Sequence, residues 1–131
     1  ADHRVLVARY MEGREAGGAQ GDPSLTISVP VDQFRTSYRF HAPTNYETNI
    51  VDVTAPLGAA VMLDGQAVTF KPLGGTGYQL GRVHPLSNGP AHDGDHYIVS
   101  TVPFGISVYG YGQDTSYWYP GGLDLHDIQV D

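Results

Sequence analysis

Two histidines and two aspartates fall within five residues at His92-Asp93-Gly94-Asp95-His96, the strongest metal candidate in the chain. Imidazoles and carboxylates together could hold zinc or copper. The His-x-x-x-His spacing aligns ligands on a helix, however, and Gly94 between two aspartates argues for a turn instead. No other histidine-containing stretch is placed beside it by the sequence. Calcium through Asp93 and Asp95 would need more oxygen ligands than this segment supplies. The segment therefore reads as a solvated turn with calcium as its open question, and no metal or cofactor is assigned.

Covalent catalysis finds no material. There is no cysteine and no Gly-x-Ser-x-Gly elbow. Fourteen carboxylates always leave some pair close, so paired acids alone do not indicate glycoside hydrolysis. Gly74-Gly75-Thr76-Gly77 has the glycines of a phosphate loop but neither the Lys-Ser/Thr that follows nor a helix to open. The expectation is a protein that is not an enzyme.

The most informative stretch is Val108 to Leu125, with Tyr109, Tyr111, Tyr117, Trp118 and Tyr119 punctuated by glycines. It reads as two strands ending in a corner at Tyr119-Pro120-Gly121-Gly122. On strands, Tyr109 and Tyr111 share a face, as do Tyr117 and Tyr119, while Trp118 points the other way. The ordinary reading is that most of these rings are core, their hydroxyls tied to backbone. The functional reading is a patch containing at least Trp118 that stacks on a sugar or anchors a protein interface. The candidate contacts are Trp118, Tyr117 and Tyr111, together with Arg14 and Glu15 on a long loop from Glu12 to Ser24. A second long loop runs from Pro85 to Asp95, and loops of this length are commonly functional or mobile.

The elements that must carry these residues are strands. Val5, Val7 and Met11 alternate with Leu6, Ala8 and Tyr10, so both faces are apolar and a central strand is predicted. Phe34, Tyr38 and Phe40 share one face and Gln33, Arg35, Ser37 and Arg39 the other, the pattern of a half-buried strand. Arg35 and Arg39 should pair across strands with Glu47 or Asp52. A strand continues from Tyr46 to Thr54. Ala59–Leu63 and Gln66–Phe70 flank Asp64-Gly65, a type I′ hairpin signal. Further strands are predicted over 77–83, 96–102, 104–111 and 115–119, with Pro103 at an edge, bend or bulge. About nine strands and almost no helical periodicity predict one all-β domain over residues 1–131, an antiparallel β-sandwich, jelly-roll-like in first choice.

Composition narrows the partner. At 131 residues the chain is one domain with a real core. The net charge is −7, and Lys71 is the one lysine among seven basic residues. That balance argues against nucleic acid and anionic lipid. No apolar run approaches the ~20 residues of a membrane-spanning helix. Ala1-Asp2-His3-Arg4 leads straight into strand pattern, as in a fragment or a mature segment.

Several pieces in this order resemble the IgGFc-binding protein N-terminal domain family: residues 3–10, Gly21-Asp22-Pro23-Ser24, residues 29–38, residues 59–65, Phe104 to Tyr111 and Tyr119-Pro120-Gly121-Gly122-Leu123. The resemblance covers about residues 3–125 and matches the C-terminal part of that longer domain. It implies secretion or surface exposure, a modular context and a non-catalytic binding role. Animal members carry cysteine-rich neighbouring modules, so a chain without cysteine fits a bacterial relative better. No Fc-contact motif transfers to particular residues.

The expectation is a recognition or adhesion domain binding a protein or glycan at a cell surface or in the extracellular matrix. An unpaired edge would be open to a second copy, forming a homodimer by strand addition. The alternatives are a carbohydrate-binding module attached to an enzyme and a structural spacer domain with no ligand.

Overall fold

The computed structural model describes residues 5–13 and 20–125, and Arg14 and Glu15 lie outside them. Among the described residues there are ten strands: β1 (Ala8–Met11), β2 (Ser24–Ile27), β3 (Arg35–His41), β4 (Thr48–Pro56), β5 (Val61–Leu63), β6 (Gln66–Ala67), β7 (Phe70–Leu73), β8 (Tyr78–Val83), β9 (Asp95–Gly112) and β10 (Thr115–Pro120). All pairings are antiparallel. The expected all-β sandwich is thus what the chain forms, curled toward a half-barrel.

The curl has one cause. Strand β9 is 18 residues long and serves two sheets. Its first half pairs with β3 and β5, with β6 beyond β5. Its second half pairs with β4 and β10, with β8 and β7 beyond β4. Two separate strands were expected here, broken at Pro103. The strand instead runs through, because no registered partner faces residues 101–103 and the missing proline N–H leaves no ladder bond unmade. Pro103 does mark a bend: the β3 register slips between Arg35 and Ser37 where the partners change. The Tyr38 hydroxyl bridges this slip, donating to the Phe104 carbonyl and accepting the Arg35 N–H at 3.0 Å.

Period-2 patterning holds along all of β9. His96, Ile98, Ser100, Phe104, Ile106 and Val108 turn inward and are buried. They meet Tyr38 and Phe40 from β3, Val61 and Leu63 from β5, and Val51, Val53 and Ala55 from β4. The turn at Asp64-Gly65 adopts the expected conformation, with φ of 49° and 80°. Its second arm is shorter than expected. After Ala67 the chain crosses to the other sheet, and Phe70 onward pairs with β8.

The central strand is β4, buried on both faces from Asn49 to Val53. The segment from Val5, expected to be central, instead forms β1 in a two-stranded hairpin with β2. Val5, Leu6, Val7 and Tyr10 are exposed there. An apolar pattern on both faces signals two-sided burial only when two layers exist to cover it. Here the hairpin is itself the covering layer, lying on the outside of the second sheet. The Pro85–Asp95 loop is firmly held: Leu86 is buried and its N–H bonds the Asn49 carbonyl, while Gly94 bridges Asn88 and Ala42.

Candidate functional site

Register builds the site row by row on the outer face of the second sheet. Arg82 of β8, Asp52 of β4 and Ser107 of β9 stand opposite one another across three strands. The next row holds Ile50, Tyr109 and Trp118 of β10. Cross-strand neighbours on one face lie ~5 Å apart, so these side chains touch.

Asp52 sits between Val51 and Val53, an acid in an apolar strand that requires a partner. Arg82 supplies it with a two-pronged ion pair, Nε–Oδ1 at 2.7 Å and Nη2–Oδ2 at 2.9 Å. The Asp52 side chain is only 6% exposed and that of Arg82 56%. Hydrogen bonding to Asp52 holds the Arg82 pKa above its ordinary value, against the opposing effect of burial. Arg35 and Arg39, expected to pair with Asp52 or Glu47, do neither. They lie on the other sheet, and Arg39 rests over the Tyr97 ring, 5.0 Å from its centroid.

A row of two rings between two cations follows. Arg82 lies 6.0 Å from the Tyr109 centroid, the Tyr109 and Trp118 rings are 5.4 Å apart, and the Arg9 guanidinium sits 4.6 Å over Trp118. Such cation–ring contacts contribute ~0.5–1 kcal/mol each at exposed sites. Trp118 is fixed further, its Nε1–H donating to Ser107 Oγ at 2.6 Å. Burial, then the charge of Asp52, raises the Tyr109 pKa.

Beside the stack, the β1–β2 hairpin overhangs the sheet and leaves a pocket of about 280 Å³. Arg9, Arg82, Asp52 and Ser107 line its polar side, while Ile27, Val29 and Leu80 line the apolar one. Gly105 makes the floor. A Cβ there would stand 2.3 Å from the Phe34 ring, so only glycine admits Phe34 over the strand.

The expected contact residues divide. Trp118 and Tyr111 share this outer face, half-buried. Tyr117 turns to the interior, where its hydroxyl donates to Asn49 Oδ1 at 2.6 Å and its ring meets Tyr46 edge-on and Tyr119 in a stack. Burial raises the Tyr117 pKa and pushes that of Tyr119 up to about 12. Arg9, Asp52, Arg82 and Ser107 were not singled out as a site by sequence reasoning. An aspartate flanked by buried valines was the one local signal for any of them.

The 92–96 segment does not converge on a point. Asp95 turns outward to the His41 ring (Nδ1–Oδ1 2.7 Å), while His96 turns inward. His96 Nδ1 meets Asp64 Oδ2 at 2.6 Å, and its ring stacks on Phe40. Asp64 is therefore more than turn chemistry, since its other oxygen accepts the Tyr97 N–H. No group of three or more metal-ligating side chains comes together among the described residues. Among the described residues no helix is long and apolar enough to cross a membrane.

Residues 1–110 match the family described as IgGFc binding protein. No curated protein and no solved structure matches the chain.

Proposed function

Since the chain belongs to the IgGFc binding protein family, we propose that it is a non-enzymatic recognition domain of a secreted or surface-exposed modular protein. Its partner is another protein, held on the outer face formed by β4, β8, β9 and β10. The supporting observation is the Arg9–Trp118–Tyr109–Arg82 stack, a row of arginines and aromatics beside an open pocket. Arg, Trp and Tyr are the residue types that dominate protein–protein hot spots, and prior ordering lowers the entropy lost on binding.

A carbohydrate-binding role fits less well, because Arg9 already occupies a face of the single tryptophan that a sugar would stack on. A pure spacer would have no need of a half-exposed arginine–aromatic row. Strand addition by a second copy would use β1, which pairs only with β2 among the described residues.

The test is biosensor binding of the chain to a panel of extracellular proteins that includes antibody Fc, with a glycan array alongside. Saturable protein binding, weakened in both Trp118→Ala and Arg9→Gln while each variant stays folded, supports the reading. Glycan binding that depends on Trp118, or protein binding indifferent to both variants, refutes it.

A further inference from the structure

The pocket beneath the β1–β2 hairpin has a one-sided hydrogen-bonding capacity. Both oxygens of Asp52 are engaged by Arg82, so its principal acceptor is used. Arg82 spends Nε and one Nη2 proton on that pair and a further donor on the Tyr109 hydroxyl, which leaves only part of a fork with five N–H donors. Arg9 has Trp118 beneath it and no acidic partner among the described residues. Ser107 Oγ accepts from Trp118 Nε1, so its own proton is available to give. The committed polar groups thus leave donors in excess. The formal charge of Arg9, Arg82 and Asp52 is positive, within a chain of net charge −7.

Shape adds a second constraint. A pocket of about 280 Å³ falls at the small end of ligand sites, the scale of a side chain or a single sugar ring. Ile27, Val29 and Leu80 offer an apolar wall to the aliphatic stem of such a side chain.

We propose that this pocket receives the carboxylate of one acidic side chain, presented by an extended segment of the partner protein. Arg9 and the remaining donors of Arg82 donate to the carboxylate, the apolar wall takes the methylenes, and the Trp118–Tyr109 rings flank the peptide. The inference rests on the reading of the domain as a protein-recognition module and names what that module selects.

The test uses the full chain and capped tripeptides Ac-Gly-Glu-Gly-NH2 and Ac-Gly-Gln-Gly-NH2, with acetate and glucuronate as controls. Trp118, the single tryptophan, reports by fluorescence, and amide shifts at residues 26–29 and 105–109 report by NMR. The glutamate peptide is expected to bind saturably, and the glutamine peptide at least about tenfold more weakly, the ratio that loss of a charge-assisted hydrogen bond produces. Arg9→Gln, at an exposed position that leaves the core untouched, is expected to remove most of the difference. Equal binding of the two peptides overturns the proposal, as does an unchanged affinity in Arg9→Gln. Glucuronate binding more tightly than the glutamate peptide overturns it in favour of an acidic sugar, and acetate binding equally well reduces the pocket to a general anion site. A silent pocket in a chain that still binds a panel protein through Trp118 sinks this inference alone. A responsive pocket with no panel protein bound sinks the broader reading instead.

Discussion

Replacing Arg82 with methionine keeps the aliphatic stem and removes both hydrogen bonds to Asp52. A fully buried pair broken on one side costs ~3–5 kcal/mol, because the remaining charge is stranded. A fully exposed pair contributes ~0–1 kcal/mol. Here the acid is 6% exposed and the base 56%, so water reaches one partner only. The expected loss lies between those limits, about 2–3 kcal/mol. Asp52→Asn keeps one acceptor for Nε but turns an amide toward Nη2, and is expected to cost about 1–2 kcal/mol. The double variant leaves no stranded charge, so its loss should fall short of the sum by about 1–2 kcal/mol. Urea unfolding followed by Trp118 fluorescence measures all three. Additive losses, or an Arg82→Met loss below about 0.5 kcal/mol, would show that the pair does not anchor the site.

Other expectations follow from the same geometry. Gly105→Ala should lose about 1–3 kcal/mol in thermal or chemical unfolding, since its methyl meets the Phe34 ring at 2.3 Å, and Phe34→Leu should relieve part of that loss. Asp64→Ala removes the acceptors of the His96 ring, which is 0% exposed, and of the Tyr97 N–H. About 2–4 kcal/mol is expected, with Asp64→Asn milder because it keeps an acceptor and tolerates positive φ. Burial raises the pKa of Tyr38, Tyr109, Tyr117 and Tyr119 above 10.0, that of Tyr119 to about 12. Raised tyrosine values favour the protonated folded state. Their stabilising effect is therefore whole below pH ~10 and is lost as pH rises toward ~12 and beyond. Melting temperature should fall over that range, with tyrosinate absorbance lagging behind that of unfolded chain.

Where a feature depended on neighbours in sequence, it was legible. Asp64-Gly65 needs only the φ preference of two residues, and the Tyr38 and Phe40 face needs only period 2; Phe34, expected on that face, instead lies over Gly105 beyond the register slip between Arg35 and Ser37, outside the core those two join. Pro103 announced a bend for the same reason. Partner choice was not local. Asp52 had Arg35, Arg39 and Arg82 to choose among, and sheet membership decided for Arg82, which no periodicity encodes. Arg9 reaches Trp118 from far away in sequence, because the hairpin folds over the sheet instead of entering it. The same placement explains why an apolar segment became an overhang and not a central strand. The aromatic stretch mixed both of its readings: Tyr117 and Tyr119 pack inward, while Tyr109, Tyr111 and Trp118 stay half-open on the other face.

The most direct test is hydrogen exchange of the chain alone and in complex with the panel protein it binds. Protection is expected over residues 26–29, 105–109 and 115–119, the overhang and the two strands beneath it. Protection confined to the opposite sheet, around Arg39 and Tyr97, would contradict the assignment of the binding face.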